Sequence, residues 1–348
     1  MPVSFSRRRL AQAFALAFSL ALPAVSAYAA DVVTIYSADG LKDGKPNWFD
    51  TVFAEFTRET GIKVQYIEGG SGVVVNRIMA EQANPQADVL VTLPPFMQKA
   101  AAQGLLEPVK LKAAAAIPAN TRSPQDLWYP MVNNYACWIY DAKSLGHAPT
   151  SYEALLDPQF KSRLQYSTPG QAGDGTAVML QVNQQFGGAD RGFDYLKKLQ
   201  ANNLGPSAST GRLAGLVNKG ELLVANGDVQ MNFAQMRQYP NLRIFFPQGP
   251  DGKRYTMALP YDIALVKGAP HSDAGRKLVA FLLSKKAQEQ VYSLARGFPA
   301  RNDIPATDAN AKELKRIMAG VHVWTPDWNH VLDRLDADVA RWQQITGS

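Results

Sequence analysis

Past residue 30 the chain alternates two kinds of apolar pattern. Val32, Val33 and Ile35 form a short strand-like run that ends at Tyr36-Ser-Ala-Asp-Gly40. Phe49, Val52, Phe53 and Phe56 then recur at i, i+3, i+4 and i+7, the spacing of one helix face, and Gly61 supplies a stop. The same reading predicts a strand over 62–67, a helix over 73–82, a strand over 87–93 and a helix over 96–102 closed by Gly104. This βαβαβα order implies parallel strands with right-handed crossovers.

A second α/β region begins after Pro130. It predicts a strand over 164–166, helices over 177–186 and 191–201, and a strand over 222–225 ending at Asn226-Gly-Asp228. The apolar run 261–266 reads as a strand returning to the first region, followed by helices over 273–296 and 327–345. In the last of these Trp328, Val331, Leu332, Leu335, Val339 and Trp342 share one face. No internal repeat is visible.

The first 29 residues have a different composition. Arg7, Arg8 and Arg9 precede an apolar run that closes at Ala27-Tyr28-Ala29, the pattern of a cleaved secretory leader. The formal charge of +6 includes those three arginines, so the exported chain carries +3. Its charges are mixed, without the dense basic stripe that nucleic acid requires. Cys137 is the single cysteine, set among apolar residues, so an exported chain must fold without an internal disulfide. The 319 residues left after cleavage suffice for two domains of about 150 each. The expected division is residues 30–130 with 262–348 as one lobe, and 131–261 as the other.

In an open parallel sheet, ligands bind where strands end and helices begin. Four stretches place small, hydroxylated or glycine residues there: 37–40, 69–72, 173–176 and 207–211. Their free N–H groups and helix starts suit an anion, although any one of them serves equally as a helix cap. Asp39, Glu68, Asp174 and Asp228 lie beside them, with Asp262 after Tyr261. Acids repel a simple anion, so a zwitterion reconciles the two sets. Asp39 and Glu68 are the better ammonium partners; Asp174 reads equally as a cap. Enzyme readings fit poorly. No Gly-x-Ser-x-Gly surrounds Ser71 or Ser209, and His147, His271, His322 and His330 lack metal-ligand spacing.

Longer motifs carry a resemblance. Tyr36-Ser-Ala-Asp-Gly-Leu41, Tyr66-Ile-Glu-Gly-Gly-Ser-Gly72 and Asn84-Pro-Gln-Ala-Asp-Val-Leu-Val-Thr92 are similar to runs in the 2-aminoethylphosphonate-binding proteins of ABC importers. So are Tyr166-Ser-Thr-Pro-Gly-Gln171 and Gly205-Pro-Ser-Ala-Ser-Thr-Gly211, while Val217 to Asp228 resembles the wider group of ferric-iron and polyamine binders.

The resemblance spans the exported chain. It implies a type II periplasmic-binding fold, with two α/β lobes, a hinge and a ligand cleft. It also implies a periplasmic carrier that is no enzyme, needs no cofactor or metal, and delivers its ligand to an inner-membrane permease with a cytoplasmic ATPase. A monomer is expected. On this reading the phosphonate meets Ser71, Gly72, Thr176, Ser209, Thr210 and Gly211, Ser37 and Thr92 line the cleft, and Asp39, Glu68 and Tyr261 hold the ammonium. The alternatives are a ferric-iron carrier, for which an adjacent tyrosine pair is missing, a polyamine carrier, and an exported phosphonate hydrolase.

Overall fold

The structure is a computed structural model that describes residues 31–347; the leader reading of residues 1–29 lies outside the described residues. The first region follows the predicted alternation: β1 (Val32–Ala38), α1 (Trp48–Thr60), β2 (Lys63–Gly69), α2 (Ser71–Ala80), β3 (Val89–Thr92) and α3 (Phe96–Ala102). Asn47 caps α1 by accepting the Asp50 N–H at 2.8 Å, and Gly61 ends it in the left-handed conformation at φ +75°. The four predicted phenylalanine and valine positions of α1 are buried, together with Trp48. β1 pairs in parallel with β2 and with β3.

Two short links then carry the chain between sheets. β4 (Leu106–Glu107) and β5 (Tyr129–Asn133) belong to the first sheet, and β6 (Ala136–Asp141) opens the second. The second region continues with α4 (Ala142–Leu145), β7 (Leu164–Gln165), α5 (Gly173–Gln185), α6 (Ala189–Gln200), α7 (Leu213–Lys219), β8 (Val224–Asp228), α8 (Val229–Gln235) and β9 (Leu242–Phe245). After β10 (Tyr255–Met257) the chain returns as β11 (Tyr261–Val266), which lies antiparallel between β3 and β5. The seven-stranded sheet runs β12 (Phe298–Pro299), β5, β11, β3, β1, β2, with β4 on β11; the four-stranded sheet runs β7-β8-β6-β9. The two links touch, because Tyr135 bridges Ala258 and the Leu259 N–H donates to the Asn134 carbonyl at 2.9 Å.

Two predicted helices differ from the structure. The span 273–296 divides into α9 (Ser272–Leu282), α10 (Lys285–Gln288) and a π-helical turn, Val291–Ala295. Ser284 restarts the chain by capping Ala287, and Arg296, at φ +58°, ends the turn. Conversely, α5 begins four residues before the predicted start. A Cβ at Gly175 would stand 2.0 Å from the Ser167 carbonyl oxygen, so the absence of a side chain lets this helix start pack onto the loop after β7. Asp174 and Thr176 are thereby moved from a loop into the first turn of a helix.

The chain closes with β12 (Phe298–Pro299), α11 (Ala309–Ile317), β13 (His322–Trp324) and α12 (Trp328–Thr346). Val331, Leu335 and Trp342 of α12 are buried, while Trp328, Leu332 and Val339 pack half-buried against the same core. Asp336 pairs with Lys99 of α3, whereas Trp342 Nε1 donates to the Tyr166 hydroxyl at 3.1 Å and Arg341 pairs with Asp190. The last helix therefore bridges the two regions.

Candidate functional site

Register places three predicted site residues on one edge of the first sheet. Ser37 lies opposite Glu68 on β2 and Val91 on β3, and Thr92 lies opposite Asp262 on β11. Asp39 and Gly40 follow directly, and Tyr261 begins β11 beside them. From the second sheet, β8 ends at Asp228 and the segments before α5 and α7 lie alongside.

The two sets meet through Asp39. Its Oδ2 accepts the Ser209 hydroxyl at 2.5 Å and the Gly211 N–H at 2.9 Å. The Tyr261 hydroxyl donates to the Asp39 carbonyl at 2.8 Å and stands 3.3 Å from Asp228 Oδ2. Asp228 Oδ1 caps α8 through the Met231 N–H, and Gln235 of the same helix donates to Asp43 Oδ2 at 2.9 Å. Asp43 lies near Asp39, Glu68 and Asp228, and Asp174 lies near Asp228 and Asp39, so the five acids form one cluster. None of the five belongs to an ion pair found among the described residues. Lys42 comes nearest to neutralising them, but it pairs with Asp50 and stands over the Tyr66 ring.

Crowding of like charge in a dry place raises carboxyl pKa values. Burial, then Asp39, Glu68 and Asp228, pushes Asp43 up to about 8. Glu68 is raised by burial, against the opposing Tyr66 hydroxyl bond. Asp174 and Asp228 rise together, burial being the larger cause in both. Burial also lifts Tyr261 well above its ordinary range, with Asp228 next in effect.

The sign of the resulting pH dependence follows. The folded protein holds the Asp43 proton more tightly than the unfolded chain, so this stabilisation is complete in acid and is lost as pH rises from about 4 through about 8. Asp43 is expected to give the ligand-free protein about 3 to 4 kcal/mol, about 5 °C in Tm, between pH 8 and pH 5. Asp43→Asn should flatten that profile in a thermal scan; an unchanged slope would remove Asp43 as its source.

Most of the predicted anion donors already have partners. Ser37 Oγ donates to the Ala38 carbonyl, and Thr92 Oγ1 to the Ser71 carbonyl. Thr176 Oγ1 bridges the Ala172 carbonyl and the Gly170 N–H, and Thr210 Oγ1 pairs with Ser167 Oγ at 2.8 Å. Gly72 donates its N–H to the Gln171 carbonyl at 2.9 Å, and a Cβ there would lie 2.3 Å from the Gly170 carbonyl oxygen. Gly72, Ser209 and Gly211 are therefore placed in contacts between the two regions. Ser71 Oγ differs: it is 1% exposed, has no partner, and would lie 2.8 Å from a Cβ at Gly173. Gly173, Asp174 and Gly175 open α5, a helix of 13 residues, so their N–H groups have no acceptor within it.

Sequence reasoning did not single out Asp43, and it left Asp174 and Asp228 outside the ligand set. Asp228 was legible as the end of a predicted strand. Asp43 had no local signal, since only the fold of the 39–47 loop brings it to Gln235.

The comparisons agree with this architecture. The profile of the bacterial extracellular solute-binding protein family matches residues 41–289. A periplasmic protein of Salmonella paratyphi A, provisionally named for 2-aminoethylphosphonate binding, is 52% identical over 99% of this chain and 100% of its own length. Among solved structures, the periplasmic binding protein P5PA superposes with a TM-score of 0.78 at 20% identity, over 91% of this chain and 99% of that one. AfuA from Actinobacillus pleuropneumoniae, solved with fructose-6-phosphate, superposes with a TM-score of 0.75 at 20% identity over the same shares. These two share the type II periplasmic binding fold. The chain belongs to the bacterial extracellular solute-binding protein family.

Proposed function

We propose that this protein is the periplasmic capture subunit of an ATP-driven importer and that its cleft takes 2-aminoethylphosphonate. The observation that carries the ligand class is the meeting of five carboxyl groups, without a paired cation, beside the first turn of α5. Carboxylates hold an ammonium by charge-assisted bonds, and a helix start with an unpaired serine hydroxyl suits phosphonate oxygens. The full-length relative from Salmonella, named for the same ligand, supports that choice.

In this proposal Asp39, Glu68 and Tyr261 hold the ammonium with Asp228. Ser71 and the first turn of α5, near Thr176 and Thr210, receive the phosphonate. The lobes follow the division expected from the sequence, residues 30–130 with 262–348 and residues 131–261, except that β5 runs on to Asn133 within the first sheet, and α12 spans both. The touching links at 134–135 and 258–260 serve as the hinge. Opening there separates Asp39 from Ser209 and Gly211, and a ligand bridging both lobes favours closure, which a permease reads. The ligand leaves unchanged, as a carrier requires.

Isothermal titration of residues 30–348 tests this. One-to-one binding of 2-aminoethylphosphonate, with ethanolamine, phosphate and putrescine at least about a hundredfold weaker, is the expected result. Heat with putrescine or phosphate, and none with the aminophosphonate, overturns the ligand while leaving the fold untouched.

A further inference from the structure

Asp174 stands apart from the other acids. It is 3% exposed, and its Oδ1 has no hydrogen-bond partner. Thr210 and the residue's own N–H are the donors near its carboxyl, whereas Asp39 is held by Ser209 and Gly211, Asp228 by Met231, Asp43 by Gln235 and Glu68 by Tyr66. The second orphan atom of the site, Ser71 Oγ, lies against Gly173, the residue before Asp174. Two unpaired, buried polar atoms, one on Asp174 and one packed on the preceding Gly173, thus mark the start of α5. Leaving such atoms unpaired costs about 1–3 kcal/mol each, so their retention points to a partner that arrives with the ligand.

We infer that Asp174 joins Asp39, Glu68 and Asp228 around the ligand's amino group and that the exchange is one of protons: the carboxyl is neutral in the empty site, the incoming ammonium donates to its oxygen, and the carboxyl proton leaves to solvent. This rests on the aminophosphonate reading above. The groups that face Asp174 are Asp228 from β8, Asp39 from the loop after β1, Thr210 from the segment before α7, Cys137 from β6 and Tyr261 from β11. Two are acids, three are neutral at pH 7, and none is a cation. With the site empty, a charged Asp174 would add a further negative charge to a buried negative cluster; burial and Asp228 accordingly raise its pKa. An ammonium reverses that balance. The scheme conserves charge: a neutral acid and a cation become an ion pair and a released proton.

Capture of a primary amine therefore tightens with pH, and a phosphonate without an amine gains nothing from Asp174. The test is titration of 2-aminoethylphosphonate into wild type and Asp174→Asn, each in two buffers of different ionisation enthalpy between pH 6 and pH 8. The phosphonate's own ionisation is common to both proteins and cancels.

Wild type should release about one proton more per ligand than the variant near pH 7, and its log affinity should rise more steeply with pH by the same amount. At pH 8 the variant should bind about tenfold more weakly. Equal proton counts in two proteins that both bind overturn the inference while leaving the ligand assignment intact. No binding by wild type overturns both. If Asp174→Asn does not fold, infrared difference spectra of wild type decide the matter. Asp43→Asn is recorded beside it, since Asp43 also holds a proton near pH 7; loss of a protonated-carboxyl band on ligand addition in both proteins supports the exchange, and an unchanged band in the variant refutes it.

Discussion

Asp39→Ala is expected to raise the dissociation constant for 2-aminoethylphosphonate by at least about a hundredfold. The substitution acts twice. It removes an acid proposed to hold the ammonium, and it breaks both bonds that Oδ2 accepts across the cleft, from Ser209 and Gly211. Charge-assisted bonds contribute about 1.5–3 kcal/mol each, so losing one to the ligand and two to closure accounts for a change of that size. The Asp39 carbonyl, which accepts from Tyr261, belongs to the backbone and stays. Calorimetry on a variant with wild-type circular dichroism is the measurement; affinity within about threefold of wild type would mean that Asp39 touches neither ligand nor closure. Because Asp39 also accepts from Ser209 and Gly211, its loss should exceed that of Asp174→Asn.

The second large effect concerns stability. Trp342→Ala should destabilise the protein by about 4 kcal/mol and lower Tm by about 8 °C. Trp342 is 1% exposed, meets the Tyr166 ring edge-on at 6.1 Å between centroids, and donates its indole N–H to the Tyr166 hydroxyl. Truncation leaves a large void and removes one of the two hydrogen bonds of the Tyr166 hydroxyl, whose other partner is Gln200, in a core that holds α12 against α6. One turn earlier Val339 packs on Gly170, in the loop that leads to α5, so the site should loosen as well. Arg341→Ala is the control, since its pair with the exposed Asp190 contributes about 0.5 kcal/mol. A Tm equal to that of the control would refute the described packing of α12.

Both variants probe contacts that no stretch of sequence contains. What the sequence by itself determined is local. The i, i+3, i+4, i+7 pattern of α1 and the apolar face of α12 set which side of each helix is buried. Gly61 and Gly104 set where α1 and α3 stop, and alternation of strand and helix set a parallel order for β1, β2 and β3. Burial periodicity is read residue by residue, so these features needed no partner to be legible. The acidic character of the strand ends was legible for the same reason.

Tertiary structure decided the rest. The start of α5 depends on Gly175 meeting Ser167, a close approach that a Gly-Asp-Gly-Thr run does not announce. The partners of Ser209 and Gly211 are a carboxylate 170 and 172 residues away, where the motif by itself suggested an anion. Asp43 became part of the cluster only because α8 lays Gln235 against it, 192 residues on. Hydrogen-bond donors and charges are satisfied by whatever the packing brings near, and that choice is made when β11 returns between β3 and β5 and draws the two sheets' loops together. Local pattern can say which atoms are polar and where helices open; only the folded chain says which of those atoms find one another and which, like Asp174 Oδ1 and Ser71 Oγ, are left without a partner.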